Sequence, residues 1–489
     1  MKASTYEAFF AELDKVRHTL PVITKEIGDT WADDPPSDPK LAAQFRALMR
    51  ARNRCAREQP AACNASDFGG RFANFSRFLA KNIEHDWGTE GAEAGVWTNE
   101  QLERRLANCS RDPLSSQGCE ADISWHDQRV WGTTFALDAL RQPSESPHPL
   151  LEMAEQELEP LVPRQPSTVG LKRVPQHAWT EPITVCDGAA TVAFESAGAI
   201  ALLRTAGSNR SWATPQHLLG EAVVHVSSAA QRDAWAESYL ATGPPVEGWI
   251  GRMFYKTDCP NGTGIGYRPA VTAMWVGARS GVTTVLFRQQ LPERVIRDFG
   301  GAQTLWQRYT FSRRSSGDRA LQSSAPRPLV VNITTWAFDK TRTRITESWW
   351  LRFHPALETA EAQSMRLHTL GSLIDPRNVV LNGSKTLHAL DRGIVYGNDI
   401  HDPRSLRIGS LDVPTIKLGA GNASLDANAP PLEGLNPAPV PNDVDPRLEN
   451  GVAFNIYNNL WETNAIQWYP FLQEDRDWTF RFGMAVPCG

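Results

Sequence analysis

The run Glu-His-Asp-Trp-Gly at residues 84–88 holds the most chemically active side chains of the sequence. His85 stands between two carboxylates, Glu84 and Asp86, an arrangement that orients an imidazole toward a metal ion or a substrate. Trp87 follows, and an indole ring can stack on the apolar face of a sugar. Taken alone, His85 is more typical of a structural histidine than of a ligand, because a zinc site needs three or four ligands.

Residues 26–31 contain a second group of this kind. Glu26 and Asp29 could accept hydrogen bonds from sugar hydroxyls, and the indole of Trp31 could stack on the sugar ring. In the alternative interpretation, Asp29 caps the next turn and Trp31 packs in a core. The chain contains 17 tryptophans, which is compatible with carbohydrate contact, although most of them are expected to be packing residues.

Length and charge narrow the class of protein. A chain of 489 residues is too long to fold around one compact core, so two or three domains are expected. The net charge of −5 argues against a nucleic-acid partner, and no apolar run is long enough to span a membrane. The sequence also contains no Walker A loop, no His-Glu-x-x-His motif and no Gly-x-Ser-x-Gly elbow.

Glycosylation sequons and cysteines point toward the secretory pathway or the extracellular space. The cysteine spacing is compatible with disulfides among the first four cysteines and equally with buried free thiols. The first 20 residues predict an amphipathic helix and not a signal peptide, which suggests a missing N-terminal segment. The first four cysteines are Cys55, Cys63, Cys109 and Cys119, and the sequons begin at Asn64, Asn74, Asn108, Asn209, Asn261, Asn332, Asn382 and Asn422.

The predicted secondary structure changes from helices to strands along the chain. Apolar residues at helical spacing dominate the first third, where Asp38 precedes Pro39 at a helix start and Thr98 forms a capping box with Gln101. Short segments rich in β-forming residues follow a Pro-rich stretch. The pattern predicts an α+β multidomain protein, with an N-terminal antiparallel helical bundle followed by a large antiparallel β-sandwich region.

Two local patterns add detail to the β region. Asn382-Gly383 between apolar residues predicts a β-hairpin over residues 379–387. Trp349 and Trp350 are neighbours in a predicted strand, so their side chains should point to opposite faces, with at least one of them in the core.

Together, these segments resemble a family described as domain of unknown function 5054. That family is in turn remotely similar to glycoside hydrolase family 38, the zinc-dependent α-mannosidases. The segments that carry the resemblance follow in order over most of the chain, at residues 26–31, 37–40, 45–46, 84–88, 124–129, 374–376, 382–383 and 457–464.

The resemblance implies relatives built from a (β/α) barrel, a three-helix bundle and β-sandwich domains. It also implies retaining hydrolysis, in which a zinc-bound aspartate attacks the anomeric carbon. One zinc ligand of those enzymes is a bundle histidine in a His-His-Asp run near Gly-Thr, and His85, followed by Gly88 and Thr89, occupies that place. The barrel's His-x-Asp pair and nucleophile have no counterpart in this sequence. The candidate sugar contacts are Glu26, Asp29, Trp31, Glu84, Asp86 and Trp87.

The resemblance also suggests domain boundaries. Residues 1–35 would be the end of a barrel, 36–160 the helical bundle, 161–175 a linker and 176–489 the β-sandwich region, with a mobile Pro-rich loop at 424–446. We therefore expect the C-terminal part of a glycoside-hydrolase-like protein that is inactive alone, binds carbohydrate and holds zinc weakly through His85. The alternative is a non-catalytic carbohydrate-binding or interaction protein.

Overall fold

The computed structural model describes residues 5–28, 32, 35–64, 66–82, 98–141, 146–240, 259–313, 327–419, 445–459 and 472–488. Within these ranges the chain is helical up to residue 161 and consists mainly of β-strands after it. The protein therefore has an α+β fold, as the sequence predicts. The expected mobile loop at 424–446 falls almost entirely outside the described residues.

The helices of the first part follow local sequence signals. Asp38 caps α2, because its Oδ1 accepts a hydrogen bond from the Leu41 N–H at 3.1 Å, and Pro39 occupies the first helical position. Thr98 and Gln101 form the expected capping box of α4. The helices are α1 (Tyr6–Asp14), α2 (Pro39–Glu58), α3 (Arg71–Lys81), α4 (Asn99–Arg111), α5 (Gln117–Val130), α6 (Ala136–Asp138), α7 (Pro149–Leu158), α8 (Ala229–Leu240), α9 (Glu293–Phe299) and α10 (Thr359–Ala362).

Shorter helical turns connect these elements. A π-helical turn at Trp131–Phe135 joins α5 to α6. The 3₁₀ turns are Arg17–Thr19, Pro35–Ser37, Glu159–Leu161, Gln176–Ala178, Leu448–Asn450 and Gln473–Arg476. None of the helices that the structure describes has the length and apolar character needed to cross a membrane.

Helices α2, α3, α6 and α7 share a buried apolar cluster that includes Leu48, Phe75 and Leu150. The disulfide Cys55–Cys63 lies in this cluster, and Cys109–Cys119 joins α4 to α5, so the four cysteines of the first part form two disulfides. Helix α1 differs from the others because none of its residues is buried. Its exposed apolar residues include Tyr6, Phe9 and Phe10.

The strands pair antiparallel in two large sheets. The ten-stranded sheet has the order β1-β7-β8-β9-β10-β19-β16-β15-β12-β13, and the nine-stranded sheet has the order β14-β17-β18-β11-β5-β4-β3-β2, with β6 also paired to β5. The strands are β1 (Lys172–Val174), β2 (Ile183–Val185), β3 (Ala190–Phe194), β4 (Ile200–Thr205), β5 (Leu219–Val226), β6 (Ile265–Tyr267), β7 (Ala270–Arg279), β8 (Val282–Gln290), β9 (Thr304–Ser312), β10 (Leu329–Phe338), β11 (Glu347–Phe353), β12 (Met365–Thr369), β13 (Ser372–Ile374), β14 (Leu387–Ala389), β15 (Gly393–Tyr396), β16 (Leu406–Ser410), β17 (Thr415–Leu418), β18 (Val452–Asn458) and β19 (Trp478–Val486).

The two sheets face each other across one apolar core, which makes this region sandwich-like. Aromatic pairs cross the interface: Phe194 and Phe287 have ring centroids 4.9 Å apart, and Trp349 and Trp478 lie 5.1 Å apart. Trp349 lies in this core, whereas Trp350 packs with another buried cluster. The two side chains are thus buried in different clusters, as expected for neighbours in a strand, and the prediction that at least one of them lies in the core is confirmed.

The predicted hairpin over residues 379–387 is wrong. A turn does form, and Asn382 adopts the left-handed conformation with φ of 62°. However, Val379 forms a parallel bridge with Glu26, and β14 pairs with β17 instead of with the residues before the turn. A distant segment therefore takes the hydrogen bonds that a hairpin partner would have used.

Candidate functional site

Most of the residues that the sequence suggested for the site fall outside the part of the chain that the structure describes. These are the candidate zinc ligand and five of the six candidate sugar contacts: His85, Asp29, Trp31, Glu84, Asp86 and Trp87. Glu26 is described, and its side chain is half-buried.

Glu26 docks onto the sandwich through its backbone. Its N–H donates to the carbonyl of Asn378 at 2.9 Å, and its carbonyl accepts from the N–H of Val380 at 2.8 Å. Gly28 has φ of +76°, and a Cβ there would lie 2.6 Å from Cγ1 of Val379. Two segments that carry the family resemblance, near residues 26–28 and 374–383, are thus in close contact.

A buried charge network joins the helices to the sandwich. It consists of Asp38, Lys40, Arg129 and Asp475, and we call it the Arg129 network. Arg129 on α5 donates through Nε to Asp38 and through Nη1 to Oδ2 of Asp475 at 2.7 Å. Lys40 donates to Oδ1 of Asp475 at 3.1 Å, and neither carboxylate side chain is exposed.

The charges in this network stabilise one another. Burial alone would raise the pKa of Asp475, but Arg129 and Lys40 outweigh burial and hold this pKa below its ordinary value of 3.8. Burial would likewise lower the pKa of Arg129, and the carboxylates of Asp38 and Asp475 raise it instead. The network therefore stays charged, and its geometry suits a rigid joint between the helices and the sheets.

Arg46 provides a second joint. Its guanidinium donates to four backbone carbonyls at the sandwich edge, those of Leu390, Asp391, Ser410 and Leu411, at 2.7–3.1 Å. Arg46 is one of the residues that carry the resemblance. The contacts of Asp38 and Arg46 fix α2 against the sheets, and those of Arg129 fix α5. The motifs that contain these three residues therefore have a structural role.

An open cleft of about 580 Å³ lies where α4 and α5 meet the loop between β10 and β11. Such a volume is in the range of small-molecule sites. The residues that line the cleft are Glu103, Leu106, Ala107, Cys109, Ser110, Pro113, Cys119, Asp122, Ile123, His126, Arg342 and Leu472.

Two ion pairs fix the carboxylates of the cleft. Arg342 donates to both oxygens of Glu103, at 2.8 and 2.9 Å, and Arg105 donates to Asp122 at 3.2 Å. The hydrogen bond from Arg342 is the main reason that the pKa of Glu103 lies below its ordinary value of 4.5. His126, from the segment 124–129, lies half-exposed beside them.

Apolar groups complete the cleft wall. Leu106 and Ile123 come from the two helices, and Leu472 comes from the approach to β19. The Cys109–Cys119 disulfide, with Cα atoms 5.2 Å apart, holds α4 beside α5 and also lines the cleft. Fixed carboxylates and a guanidinium next to an apolar wall can bind a polyhydroxylated ring, because the ring offers both hydroxyls and C–H faces.

Sequence reasoning missed most of this cleft. The spacing of Cys109 and Cys119 was the usable signal, since a disulfide between them places α4 and α5 side by side. Arg342 gave no local signal, because it comes from a loop 239 residues after its partner Glu103.

Within the described residues, one Cys-Cys-His group could hold a metal ion: the donor atoms of Cys55, Cys63 and His148 lie within 4.8 Å of one another. The two cysteines form a disulfide, so only their reduced thiolates would be ligands. The ring of His148 is engaged as well, because Nδ1 accepts from the Leu150 N–H at 3.2 Å and Nε2 lies 3.1 Å from the carbonyl of Ala62.

A comparison with known families shows which family this chain belongs to. The model of the family described as domain of unknown function (DUF5054) matches residues 36–319, more than half of the 489-residue chain, and the chain therefore belongs to this family. The matched range includes Asp38, Arg129 and the two helices of the cleft. A comparison with curated proteins finds no match.

Proposed function

We propose that the chain is part of a glycoside-hydrolase-like protein of the α-mannosidase type and that its cleft binds a sugar. The observation that carries the proposal is the pairing of Glu103 with Arg342 beside Asp122 and His126 in a cleft of about 580 Å³. Hydroxyl groups of a sugar would donate to the carboxylates and accept from the guanidinium, and Leu106 and Ile123 would contact its C–H face.

The order of elements supports the proposal. Helices followed by a sandwich-like region are what the resemblance to glycoside hydrolase family 38 implies, with the helices forming a bundle. The same resemblance implies that Asp29 and Trp31, which lie outside the described residues, would also contact the sugar.

The ion pairs favour binding over hydrolysis within this cleft. A general acid must be protonated near the working pH, which requires a raised pKa. Glu103 has the opposite environment, because its hydrogen bond with Arg342 lowers its pKa. A non-catalytic carbohydrate-binding role is therefore the second candidate function, and the same cleft would serve it.

A zinc ion would have to be held elsewhere. The resemblance implies His85 as one ligand, and zinc bound there would polarise sugar hydroxyls. The group of Cys55, Cys63 and His148 does not fit this role, because its sulfurs are bonded to each other and it lies inside the cluster of α2, α3 and α7. We expect only weak zinc binding by this chain.

Titration of methyl α-mannoside into the purified chain, followed by NMR or calorimetry, tests the proposal. We expect binding that weakens at least fivefold in Glu103→Gln. Glu155→Gln is the matched control, because Glu155 is also paired with an arginine and its side chain has the same exposure of 55%. Equal binding by both variants, or no binding of methyl α-mannoside, would refute the proposed sugar site in the cleft.

Turnover tests whether the chain is catalytic by itself. We expect the purified chain not to hydrolyse an aryl α-mannoside. Hydrolysis that is lost in His85→Ala would instead show that the chain is itself a glycosidase.

A further inference from the structure

Cys186 lies in the turn between β2 and β3, at the end of the sandwich. Its N–H donates to Oγ1 of Thr283 on β8 at 3.1 Å, which ties this turn of the nine-stranded sheet to the ten-stranded sheet. The carbonyl of Cys186 accepts from the N–H of Ala189 at 3.1 Å and closes the turn. The Cys186 side chain is 5% exposed and belongs to the apolar core between the sheets.

Cys488 reaches the same place from the other sheet. It follows β19, which belongs to the ten-stranded sheet. The carbonyl of the preceding Pro487 accepts from Oγ1 of Thr205 at 3.3 Å, and Thr205 is the strand partner of Ala190, just after the β2–β3 turn. Cys488 is partly buried and packs against the core that contains Cys186.

Cys488 also lies close enough to affect the Cys186 thiol electrostatically. Burial is the main cause that raises the pKa of the Cys186 thiol, and the neighbouring Cys488 raises it further. Neither cysteine takes part in the two disulfides of the helical part.

From this placement we propose that Cys186 and Cys488 form a third disulfide when the protein folds in an oxidising compartment. Two S–H bonds break and one S–S bond forms. The two electrons and two protons pass to a small disulfide such as oxidised glutathione, which becomes two thiols. The bond would join the β2–β3 turn of one sheet to the segment that follows β19 of the other, and so connect the two layers of the sandwich covalently.

Peptide mapping without reduction tests the proposal directly. Trypsin releases residues 174–204 with Cys186 as their one cysteine, and residues 482–489 with Cys488 as theirs. In protein secreted from a eukaryotic host, we expect these two peptides to be recovered as one linked species that dithiothreitol separates. Recovery of both peptides with free thiols would overturn the proposal, and this result does not depend on any variant folding.

Thiol counting in the denatured, unreduced chain gives a second readout. If the bond exists, Cys186→Ser and Cys488→Ser each release the other sulfur, so each variant shows one thiol more than the original chain. If the two thiols are free, each variant shows one thiol fewer. The direction of the change therefore decides between a disulfide and two free cysteines.

Discussion

Arg129 and Asp475 lie 346 positions apart in the sequence, yet Nη1 of Arg129 donates to Oδ2 of Asp475 at 2.7 Å. The same guanidinium contacts Asp38 at the start of α2, so one side chain connects two helices with the turn that precedes β19. The removal of these charges from water costs free energy, which their mutual attraction and hydrogen bonds must offset. The removal of one charged partner should therefore lower the free energy of unfolding by more than the intact network adds to it.

Substitution of Arg129 by Met should lower the free energy of unfolding by about 3–5 kcal/mol, because it leaves two buried carboxylates without their main cation. Urea unfolding followed by tryptophan fluorescence measures the change. Arg141→Met is the control, since Arg141 forms exposed ion pairs with Asp138 and Glu155, and the loss should stay below about 1 kcal/mol. Similar losses for both variants would contradict a stabilising role of the Arg129 network.

Buried histidines should make the fold sensitive to acid. Burial lowers the pKa of both His225 and His388 to about 4. The unfolded chain binds protons near pH 6.5, so between pH 6.5 and 4 it binds more protons than the folded chain, and stability falls as the pH falls. The loss begins near pH 6.5, is complete below pH 4 and amounts to about 3 kcal/mol for each histidine.

Urea midpoints at pH 7 and pH 4.5 test this prediction. His388→Gln should show a smaller loss between the two pH values than the original chain, whatever its stability at pH 7. His401→Gln serves as the control, because His401 is exposed. An unchanged pH dependence in His388→Gln would refute the role of this histidine.

Close packing at Gly28 gives a third prediction. Gly28→Ala and Gly207→Ala both place a side chain at positive φ, +76° and +79°, but a Cβ at Gly207 has no atom within 4 Å. Gly28→Ala should therefore cost about 1–3 kcal/mol more than Gly207→Ala, owing to the clash with Val379. Paired thermal and urea unfolding measures the difference, and equal costs would mean that the docked segment moves away without penalty.

The two disulfides of the helical part should have separable effects. Replacement of Cys109 and Cys119 by alanine should lower stability by about 2–3 kcal/mol and weaken sugar binding roughly tenfold, because this disulfide lines the cleft. Replacement of Cys55 and Cys63 should lower stability without changing the affinity. If both pairs reduce the affinity equally, the effect comes from general destabilisation.

Local signals in the sequence predicted local structure well. Asp38 with Pro39 and Thr98 with Gln101 marked helix starts, because a cap depends only on residues within one turn. The packing of the adjacent Trp349 and Trp350 side chains in different clusters likewise follows from the alternation of side chains along a strand.

Contacts between distant segments could not be predicted in this way. A turn forms at Asn382, as expected, but it is closed by the hydrogen bond from the Gly383 N–H to the carbonyl of Val380, and Glu26 supplies the hydrogen bonds expected from a hairpin partner. Arg342 joins the cleft only because the loop before β11 packs against α4, and no pattern near Arg342 reports that contact. The predicted sites at residues 29, 31 and 84–87 remain predictions, since they lie outside the described residues.

The place of β19 in the ten-stranded sheet has a consequence for biosynthesis. This strand, at Trp478–Val486, pairs with β10 on one side and β16 on the other. While the chain leaves the ribosome, the two halves of the sheet stay separate, each with an open edge, until β19 has been made. Folding of this sheet should therefore be slow and dependent on chaperones, and the emergence of β19 should trigger closure of the sheet.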